Sequence, residues 1–445
     1  MSQNLASLIL TNEGVALIDA NSGLSFSYKD LNTEVNCYEE VLYRKPGIYA
    51  VICQNKFQNI AFYVACLKTK TPVMLLPGSI TKEAIDKLTE AFQLSGVFGI
   101  GEEGLHLFAS EHNYLNYPTS TAILIGTSGS QSHPKFVRIS MQNLIKNSFA
   151  IIESLEQWEK QKNITTLPWH YSYGLSILNT HLVTGNTVIL NQYPILSEKF
   201  WKTIYKYEVT NFGGVPSQYE TLYRLRERFI SAESIEYVTQ AGGKLSSALR
   251  TEFHQLTTKL ERKLYIMYGQ TEATARISIL SPEQFEFHEE SVGRCIGDGI
   301  MTESNGQLMF KGSNVCLGYA SSAEDLFLGD VNSGILHTGD KGNVDSDGFI
   351  YVIGRSGRDI KISGVRISLD IIESQLESAE IKAYALGLKT KVGIVHQNFA
   401  DREKILSVLQ NDFNLSKRDI VFRQIENIPL LENGKVDFRL LQEYF

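Results

Sequence analysis

The stretch from Leu336 to Arg366 constrains the fold most, because turn residues, a strand pattern and isolated charges follow one another there. Two predicted turns and one predicted strand make up its first half: His337 to Asp340, Asp345 to Gly348, and Phe349 to Ile353. They predict a tight hairpin with Asp340 and Arg355 on turns at its flanks, where both could face one polyhydroxyl ligand. A hairpin with solvated charges is the alternative interpretation.

A domain boundary is predicted directly after this hairpin. The strand ends at Arg355, and Gly357 lacks the Cβ atom that restricts other residues. A new apolar alternation starts at Ile360. Because 445 residues are enough for about two to three domains, we expect a large domain over residues 1–356 and a small one over residues 357–445.

Composition excludes several classes of protein. Apolar residues at 43% and charged residues at 20% are typical of a folded soluble chain. A net charge of −7 with dispersed lysines and arginines argues against a nucleic-acid partner. The five cysteines have no CxxC spacing, which favours reduced core residues in a cytoplasmic protein and no cysteine metal site. The N-terminal region predicts neither a signal peptide nor a membrane span.

Short apolar strands alternate with helical patterns along the first part of the chain, which predicts an α/β fold. No repeat of fixed period is present. The predicted strands span residues 14–19, 49–53, 121–125, 188–190, 209–215, 237–240 and 264–267. The predicted helices span residues 28–43 and 57–68, and a third runs from an N-cap at Ser140 to about residue 156.

A loop rich in glycine and hydroxyl residues follows the predicted strand at residues 121–125. Its backbone N–H groups could converge on phosphate oxygens, with a lysine charge at the far end. It is not a Walker loop, because Phe136 follows Lys135 where Mg²⁺ binding needs Ser or Thr. A flexible Ser/Gly linker is the alternative. The candidate phosphate-binding residues are Thr127, Ser128, Gly129, Ser130 and Lys135.

Three further segments follow predicted strands or crowd polar and aromatic groups together. Leu167 to Leu175 holds three aromatic residues beside His170, where a packed aromatic corner with a hydrogen-bonded histidine is the favoured alternative to a ligand site. Ala241 to Lys244 and Tyr268 to Glu272 follow strands directly. In open α/β sheets, ligands bind at such strand ends.

Taken together, five motifs resemble those of the adenylate-forming superfamily, which includes acyl-CoA synthetases, adenylation domains of peptide synthetases and firefly luciferase. The motifs occur in the family's order, and the resemblance covers about residues 25–440: TSGSQSHPK, LPWHYSYGL, YGQTE, the HTGD-to-GR hairpin, and Asn433-Gly434-Lys435. The resemblance implies a large N-terminal AMP-binding α/β domain of several subdomains. It also implies a small α+β C-terminal domain that is hinged after Arg355 and carries the adenylation lysine.

The resemblance also implies a role for each matching residue. Tyr268 would stack on adenine, and Asp340 and Arg355 would bind the ribose hydroxyls. Glu272 would hold Mg²⁺, and Thr271 would form a hydrogen bond with the α-phosphate. Lys435 would lie between the substrate carboxylate and the α-phosphate and contact both. The remaining nucleotide-binding residues implied are Gly242, Gly243, Lys244 and Gly269. The acid pocket implied is formed by His170, Tyr171, Gly174, Gly243 and Gln270.

The implied reaction joins a carboxylic acid to the phosphate of ATP and then transfers the acyl group to the thiol of CoA or of a carrier-protein phosphopantetheine. In the family, the small domain rotates about the hinge between the two steps. The phosphate loop departs from the family at Gln131, Ser132 and Phe136, and Gly357 replaces the usual Asp or Lys of the hinge.

Adenylation domains for α-amino acids usually place an Asp in the segment that matches Pro168 to Gly174, and this sequence has no acidic residue there. The resemblance therefore implies an uncharged aliphatic or aryl acid rather than an α-amino acid. CoA and an acyl carrier protein remain equal candidates as acceptor. A non-catalytic, nucleotide-binding regulatory or scaffold protein that keeps the same fold is the alternative from another class.

Overall fold

The structure is a computed structural model, and it describes residues 4–99, 105–107, 120–126, 135–157, 160–362, 365–388, 391–413, 415–432 and 434–445. The strands are β1 (Val15–Asp19), β2 (Ser25–Ser27), β3 (Ile48–Ile52), β4 (Val73–Leu76), β5 (Leu94–Phe98), β6 (Leu105–Leu107), β7 (Ile123–Gly126), β8 (Phe136–Ile139), β9 (Lys162–Ile164), β10 (Thr187–Leu190), β11 (Asn211–Gly214), β12 (Tyr237–Gln240), β13 (Lys263–Tyr268), β14 (Ser278–Leu280), β15 (Arg294–Cys295), β16 (Ile300–Ser304), β17 (Gln307–Lys311), β18 (Gly318–Ala320), β19 (Ile335–Val344), β20 (Ile350–Arg355), β21 (Asp359–Ile362), β22 (Val365–Ser368), β23 (Ala383–Leu388), β24 (Lys391–His396) and β25 (Ile420–Gln424).

The helices connect these strands and cover both faces of the larger sheets. They are α1 (Leu5–Leu10), α2 (Tyr28–Arg44), α3 (Phe57–Thr69), α4 (Lys82–Phe92), α5 (Met141–Leu155), α6 (Ser172–Val183), α7 (Glu198–Tyr207), α8 (Pro216–Arg224), α9 (Arg226–Ser231), α10 (Ser247–Lys259), α11 (Pro282–Phe285), α12 (Leu369–Ser378), α13 (Arg402–Phe413) and α14 (Phe438–Gln442). None of the helices in the described ranges has both the length and the apolar character needed to cross a membrane.

Two large sheets form the first part of the chain, and a shared core lies between them. One has nine strands in the order β15-β14-β13-β12-β11-β9-β10-β1-β2, and the other has seven in the order β18-β8-β7-β4-β3-β5-β6. The central strands of both sheets are parallel and joined through helices. Helix α3 is buried along nearly its whole length between the sheets, which explains its almost continuous apolar sequence.

A four-stranded sheet in the order β16-β17-β19-β20 completes this part, and it corrects one prediction. His337 to Asp340 do not form a turn but lie within β19, where exposed and buried side chains alternate. The strand pattern is hidden in the sequence because polar Thr338 and Asp340 fill buried positions. Asp340 pairs directly with Arg355 of β20, so these two residues face each other across adjacent strands instead of lying on turns.

The last part of the chain forms two small sheets, β21-β22 and β23-β24-β25, with helices α12 to α14. An apolar cluster of its own holds them together and includes Ile372 and Ile394, both fully buried. The predicted fold class, a large α/β part of several sheets followed by a small α+β part, is confirmed. The boundary between residues 356 and 357 stays a prediction.

Most predicted elements of the first part are present with shifted ends. Helix α5 begins after Ser140, whose hydroxyl accepts a hydrogen bond from the Asn143 backbone N–H, as the N-cap prediction requires. Strand β11 begins at Asn211, two residues later than predicted. The cysteines are all free of disulfides, but Cys37 is exposed rather than part of the core.

Arg138 of β8 binds the backbone of β18, its neighbour at the edge of the seven-stranded sheet, and of the residues on either side of β18. Its guanidinium is fully buried and donates from Nε to the Tyr319 carbonyl at 3.1 Å and from Nη2 to the carbonyls of Leu317 and Gly329, each at 3.1 Å. Nη1 donates to the carbonyl of Leu328. Burial lowers the pKa of Arg138. The cation therefore fixes the backbone on both sides of Tyr319 by hydrogen bonds.

We expect Arg138→Met to lower the free energy of unfolding by about 3 kcal/mol, because it leaves several buried carbonyls without a donor. Urea titration followed by circular dichroism measures this change. The control is Arg44→Met, which removes an exposed ion pair with Glu40 and should change stability by less than about 0.5 kcal/mol. Equal midpoints for the two variants would contradict the structural role of Arg138.

Candidate active site

Three parallel strands, β11, β12 and β13, end at one edge of the nine-stranded sheet. Strand β11 leads into Val215-Pro216, whereas β12 and β13 lead into two of the segments predicted from the sequence, Ala241 to Lys244 and Tyr268 to Glu272. Because carboxyl ends of parallel strands are where ligands bind in open α/β sheets, this edge is the candidate site. Gly269 passes so close to Ala275 that a Cβ atom would lie 1.7 Å from the Ala275 carbonyl oxygen.

A buried carboxylate, Asp340 of β19, lies against the end of β13. Its Oδ2 accepts hydrogen bonds from the Tyr268 hydroxyl at 2.5 Å and from Gln270 Nε2 at 2.6 Å. Its Oδ1 accepts from Arg355 Nε at 3.0 Å. Burial first, and then Asp340, raise the pKa of the Tyr268 phenol. Tyr268, Asp340 and Arg355, all predicted to bind the nucleotide, therefore lie together.

A second carboxylate, Glu272, is linked through Tyr319 to Lys135, the described end of the predicted phosphate loop. Its Oε1 accepts a hydrogen bond from the Tyr319 hydroxyl at 2.9 Å. The ammonium of Lys135 lies 3.7 Å from the centre of the Tyr319 ring, within the range of a cation–π contact. Tyr319 therefore joins Lys135 to Glu272. The predicted phosphate-binding residues 127–130, together with Gln131 and Ser132, lie outside the described residues.

Lys435 reaches the same edge from the last part of the chain. A Cβ atom at Gly242 would lie 3.6 Å from Lys435 Cε, so the lysine stem passes the turn after β12. Burial, and next Arg355, lower the pKa of Lys435, whereas Asp340 and Glu272 raise it. The chain thus brings a largely buried cation close to two carboxylates and the turn after β12.

The segment that carries Glu432, Gly434 and Lys435, called the Lys435 loop, is held against the first part of the chain by close backbone packing. The Ser217 hydroxyl donates a hydrogen bond to the Gly434 carbonyl at 3.0 Å. Gly434 has φ of 77°, and a Cβ atom there would lie 2.6 Å from Val215 Cγ2. Only glycine adopts this conformation readily and fits this space.

His170 and Tyr171 lie at the start of α6 and face Glu432 of the Lys435 loop. His170 Nε2 is 3.7 Å from Glu432 Oε2, and the two aromatic rings are 4.1 Å apart. Within the described residues, neither nitrogen of His170 has a hydrogen-bond partner. The aromatic corner is present, but no described residue supplies the hydrogen bond that the favoured interpretation expects at His170. Burial lowers the pKa of His170 to about 4 and raises that of Tyr171 to about 12.

Some predicted site residues have other neighbours than expected. Gln270, predicted for the acid pocket, donates to Asp340 and to the Thr338 carbonyl. Lys244, predicted to bind nucleotide, instead faces exposed Glu290 at 3.7 Å. A Cβ atom at Gly174 would lie 2.4 Å from the Pro168 carbonyl oxygen, so this glycine permits tight packing of α6.

Thr271 and Gly243 lie at the candidate edge as predicted. The Thr271 hydroxyl is 3.2 Å from that of Ser172, at the start of α6. The Gly243 carbonyl accepts a hydrogen bond from Gln240 at 2.9 Å. Sequence analysis missed Tyr319, Ser217 and Glu432. No motif marks Tyr319 or Ser217, whereas the position of Glu432, three residues before Lys435, was a usable signal.

Neutral His170 makes stability depend on pH. Its folded pKa of about 4 is below the unfolded value of about 6.5, so the unfolded chain binds more protons between these values. Stability is therefore lost as pH falls from about 6.5 towards 4. Between pH 7 and pH 4.5, we expect the free energy of unfolding to fall by about 2 kcal/mol more in the wild type than in His170→Gln.

Urea titrations of both proteins at the two pH values measure this difference. Buried His181, whose pKa burial also lowers to about 4, is present in both proteins and cancels in the comparison. An identical pH dependence of the two proteins would show that His170 takes up its proton equally in the folded and unfolded states.

Comparison with known proteins is consistent with this arrangement. The family model described as AMP-binding enzyme matches residues 106–320. The D-alanine–D-alanyl carrier protein ligase of Staphylococcus aureus is 24% identical over 358 residues, which cover 73% of this chain and 71% of that protein. The 2-succinylbenzoate–CoA ligase of Bacillus subtilis is 27% identical over 331 residues, which cover 72% of this chain and 65% of that protein.

Solved structures match over nearly the entire chain. The o-succinylbenzoate CoA synthetase of Bacillus subtilis, in complex with its acyl-adenylate intermediate, has a TM-score of 0.78 at 21% identity and covers 99% of this chain and 98% of that one. Klebsiella oxytoca NpsA, in complex with 3-hydroxyanthranilyl-AMSN, has a TM-score of 0.80 at 16% identity and covers 100% and 99%. Residues 106–320 thus match the AMP-binding enzyme family, and the chain as a whole shares the fold of these two solved structures.

Proposed function

We propose that this protein activates a carboxylic acid with ATP, releases pyrophosphate, and transfers the acyl group from the acyl-adenylate to a thiol. The approach of Lys435 to the edge that holds Glu272 and Asp340 carries this proposal. Similarity to AMP-binding enzymes supports it, since similar proteins are named as ligases of an acid with CoA or with a carrier protein.

The chemistry requires a cation at this position. Hydroxide is a poor leaving group, so a carboxylic acid does not react directly with a thiol. When a carboxylate oxygen attacks the α-phosphorus of ATP, pyrophosphate leaves and an acyl-adenylate forms. The thiol then attacks the acyl carbon, and AMP, which is a good leaving group, departs. Attack on the α-phosphorus builds negative charge on the phosphate oxygens, and a fixed ammonium stabilises that charge. We assign this role to Lys435, and we assign to Thr271 a hydrogen bond to the same phosphate.

The nucleotide would be held at Tyr268, Asp340 and Arg355. A tyrosine ring can stack on adenine, and a carboxylate next to a guanidinium offers an acceptor and donors to two neighbouring ribose hydroxyls. Because Tyr268 and Gln270 already hold Asp340 in place, its free lone pairs are pre-oriented. Gly242 and Gly243 would present backbone to the base.

Glu272 fits a magnesium ion that is bound together with ATP. Mg²⁺ is usually held by one or two carboxylates plus substrate phosphates, not by a cage of protein ligands. Among the described residues, no group of three or more His, Cys, Asp or Glu side chains could hold a metal by itself. The ion would neutralise phosphate charge, while Tyr319 orients Glu272 through its hydroxyl.

The acceptor would be the thiol of CoA or of a carrier-protein phosphopantetheine. The acid would not be an α-amino acid, because residues 168–174 offer no carboxylate to its ammonium group. A cytoplasmic location is supported by the five cysteines, which are all free of disulfides.

Exchange of labelled pyrophosphate into ATP, measured with a panel of carboxylic acids, tests the activity. Any acid that supports exchange establishes adenylation and identifies the substrate class. Binding of ATP without exchange for any acid would contradict the proposal and would leave the scaffold interpretation.

We expect Asp340→Ala to weaken ATP binding by about 1.5–3 kcal/mol, because the ribose loses a charged acceptor. Calorimetry with a non-hydrolysable ATP analogue measures it. The control is Asp347→Ala, which removes an exposed carboxylate from the turn of the same hairpin and should leave ATP affinity unchanged. Unchanged affinity in a folded Asp340→Ala variant would mean that this carboxylate is only structural.

We expect Lys435→Ala to slow adenylation about 1,000-fold, since a positioned charge at a phosphoryl transition state contributes about 4 kcal/mol. Thioester formation from supplied acyl-adenylate should persist, because the thiol attacks the acyl carbon and no bond to the α-phosphorus forms or breaks in that step. Single-turnover assays separate the two steps, with Lys391→Ala as an exposed-lysine control from the same part of the chain. Equal losses in both steps would refute the role given to Lys435.

A further inference from the structure

Tyr319 contacts two charged residues that are expected to bind different parts of one ligand. Its hydroxyl donates a hydrogen bond to Glu272 Oε1 at 2.9 Å, and the ammonium of Lys135 lies 3.7 Å from the centre of its ring. Glu272 is proposed to hold Mg²⁺, and Lys135 is predicted to bind phosphate. Because Mg²⁺ is bound together with the phosphates of ATP, a residue that touches both side chains can influence both contacts at once.

The register of β8 and β18 places Tyr319 near Lys135. Tyr319 pairs with Val137, and Lys135 precedes Val137 by two positions. In an antiparallel pair, aromatic and long side chains reach such diagonal neighbours. Arg138 donates to the carbonyl of Tyr319 and to carbonyls on either side of it, so the backbone that carries the ring is held in place.

Hydrogen bonds also fix Glu272 to the segment that leads into β18. The Glu272 carbonyl accepts from the Cys316 backbone N–H at 2.8 Å, and Asn314 Nδ2 donates to the carbonyl of the next residue, Ala273, at 2.8 Å. Tyr319 follows Cys316 by three residues. The Glu272 backbone is therefore already fixed close to the phenol, and what the hydroxyl adds is control of the rotation of the carboxylate.

The two contacts of Tyr319 differ in their chemistry. The hydroxyl donates to the carboxylate, whereas the face of the ring attracts the ammonium through its quadrupole. Burial first, and then Glu272, raise the pKa of the Tyr319 phenol, so the hydroxyl remains a donor at neutral pH. The substitution Tyr319→Phe removes the hydroxyl and keeps the ring, and Tyr319→Leu removes both. The two contacts can therefore be removed one after the other.

We propose that Tyr319 is a positioning residue that couples the binding of Mg²⁺ at Glu272 to the binding of phosphate at Lys135. This inference rests on the proposed function, because both charged residues are assigned there to ATP and its metal ion. One side chain sets the spacing between a carboxylate and an ammonium that must meet a metal ion and a phosphate together. Side chains that are ordered before the ligand arrives lose less conformational entropy when it binds.

Calorimetry with a non-hydrolysable ATP analogue, measured once with Mg²⁺ and once with EDTA, tests this inference. We expect Tyr319→Phe to weaken binding about 10-fold with Mg²⁺ and to leave it unchanged with EDTA, because only the hydrogen bond to Glu272 is lost. Tyr319→Leu should in addition weaken binding about 3-fold with EDTA, since no ring attracts Lys135. In a Glu272→Gln background, Tyr319→Phe should change the affinity with Mg²⁺ less than about 2-fold, because the two residues act on one contact.

The matched control is Tyr223→Phe, at a tyrosine with the same kinds of contact elsewhere on the surface. Tyr223 is 37% exposed, as is Tyr319. Its hydroxyl donates to Glu252 at 3.3 Å, and the Arg226 guanidinium lies 5.6 Å from its ring centre. This variant should bind the analogue as the wild type does, with Mg²⁺ and with EDTA.

Three results would overturn the inference and leave the proposed function intact. They are a loss in Tyr319→Phe that is absent or equal with Mg²⁺ and EDTA, the same loss in the Glu272→Gln background, and Tyr319→Leu that binds as Tyr319→Phe does. A wild type that shows no binding of the analogue under either condition would overturn the inference and contradict the proposed function as well.

Discussion

The pairing of Asp340 with Arg355 across β19 and β20 is the interaction on which the candidate site depends. It fixes a buried carboxylate where Tyr268 and Gln270, at the end of β13, can donate to it. Two different sheets are thereby joined through one side chain. Burying such a charge is tolerable only because each oxygen is hydrogen-bonded, so the donors are as necessary as the carboxylate itself.

Within the described residues, hydrogen bonds and ion pairs join the last part of the chain to the first. Ser217 donates to the Gly434 carbonyl, the Arg355 backbone N–H donates to Asp370, and Lys382 pairs with Glu220. The lysine–glutamate pair is half exposed, and ion pairs of that kind contribute little. Ion pairs of this kind can be exchanged for others at small cost, as the proposed rotation between two half-reactions requires.

The sequence predicted those features in which local chemistry and fold agree. Strand β12, helix α3 and the Ser140 N-cap follow from apolar runs and capping residues, whose physics is local. The turn at residues 337–340 was wrong because buried polar residues conceal a strand when their partners are distant in sequence. Tyr319 could not be found either, since its role comes from Lys135 and Glu272, which only the fold brings to it.

Gly357 has φ of 97°, and no atom lies within 4 Å of the position that a Cβ atom would take there. The backbone can therefore rotate at a residue that lies close in sequence to the candidate site. Two residues earlier, Arg355 is fixed by its side chain to Asp340 and by its backbone to Asp370. A rotation at Gly357 could therefore leave the Asp340–Arg355 pair intact while carrying Asp370 and Lys435 away together. The residues proposed to hold the ribose would stay on the large part of the chain, and Lys435, whose proposed role is in adenylation alone, would leave. The residues proposed to bind the nucleotide and the lysine proposed to act only in adenylation thus lie on opposite sides of one glycine.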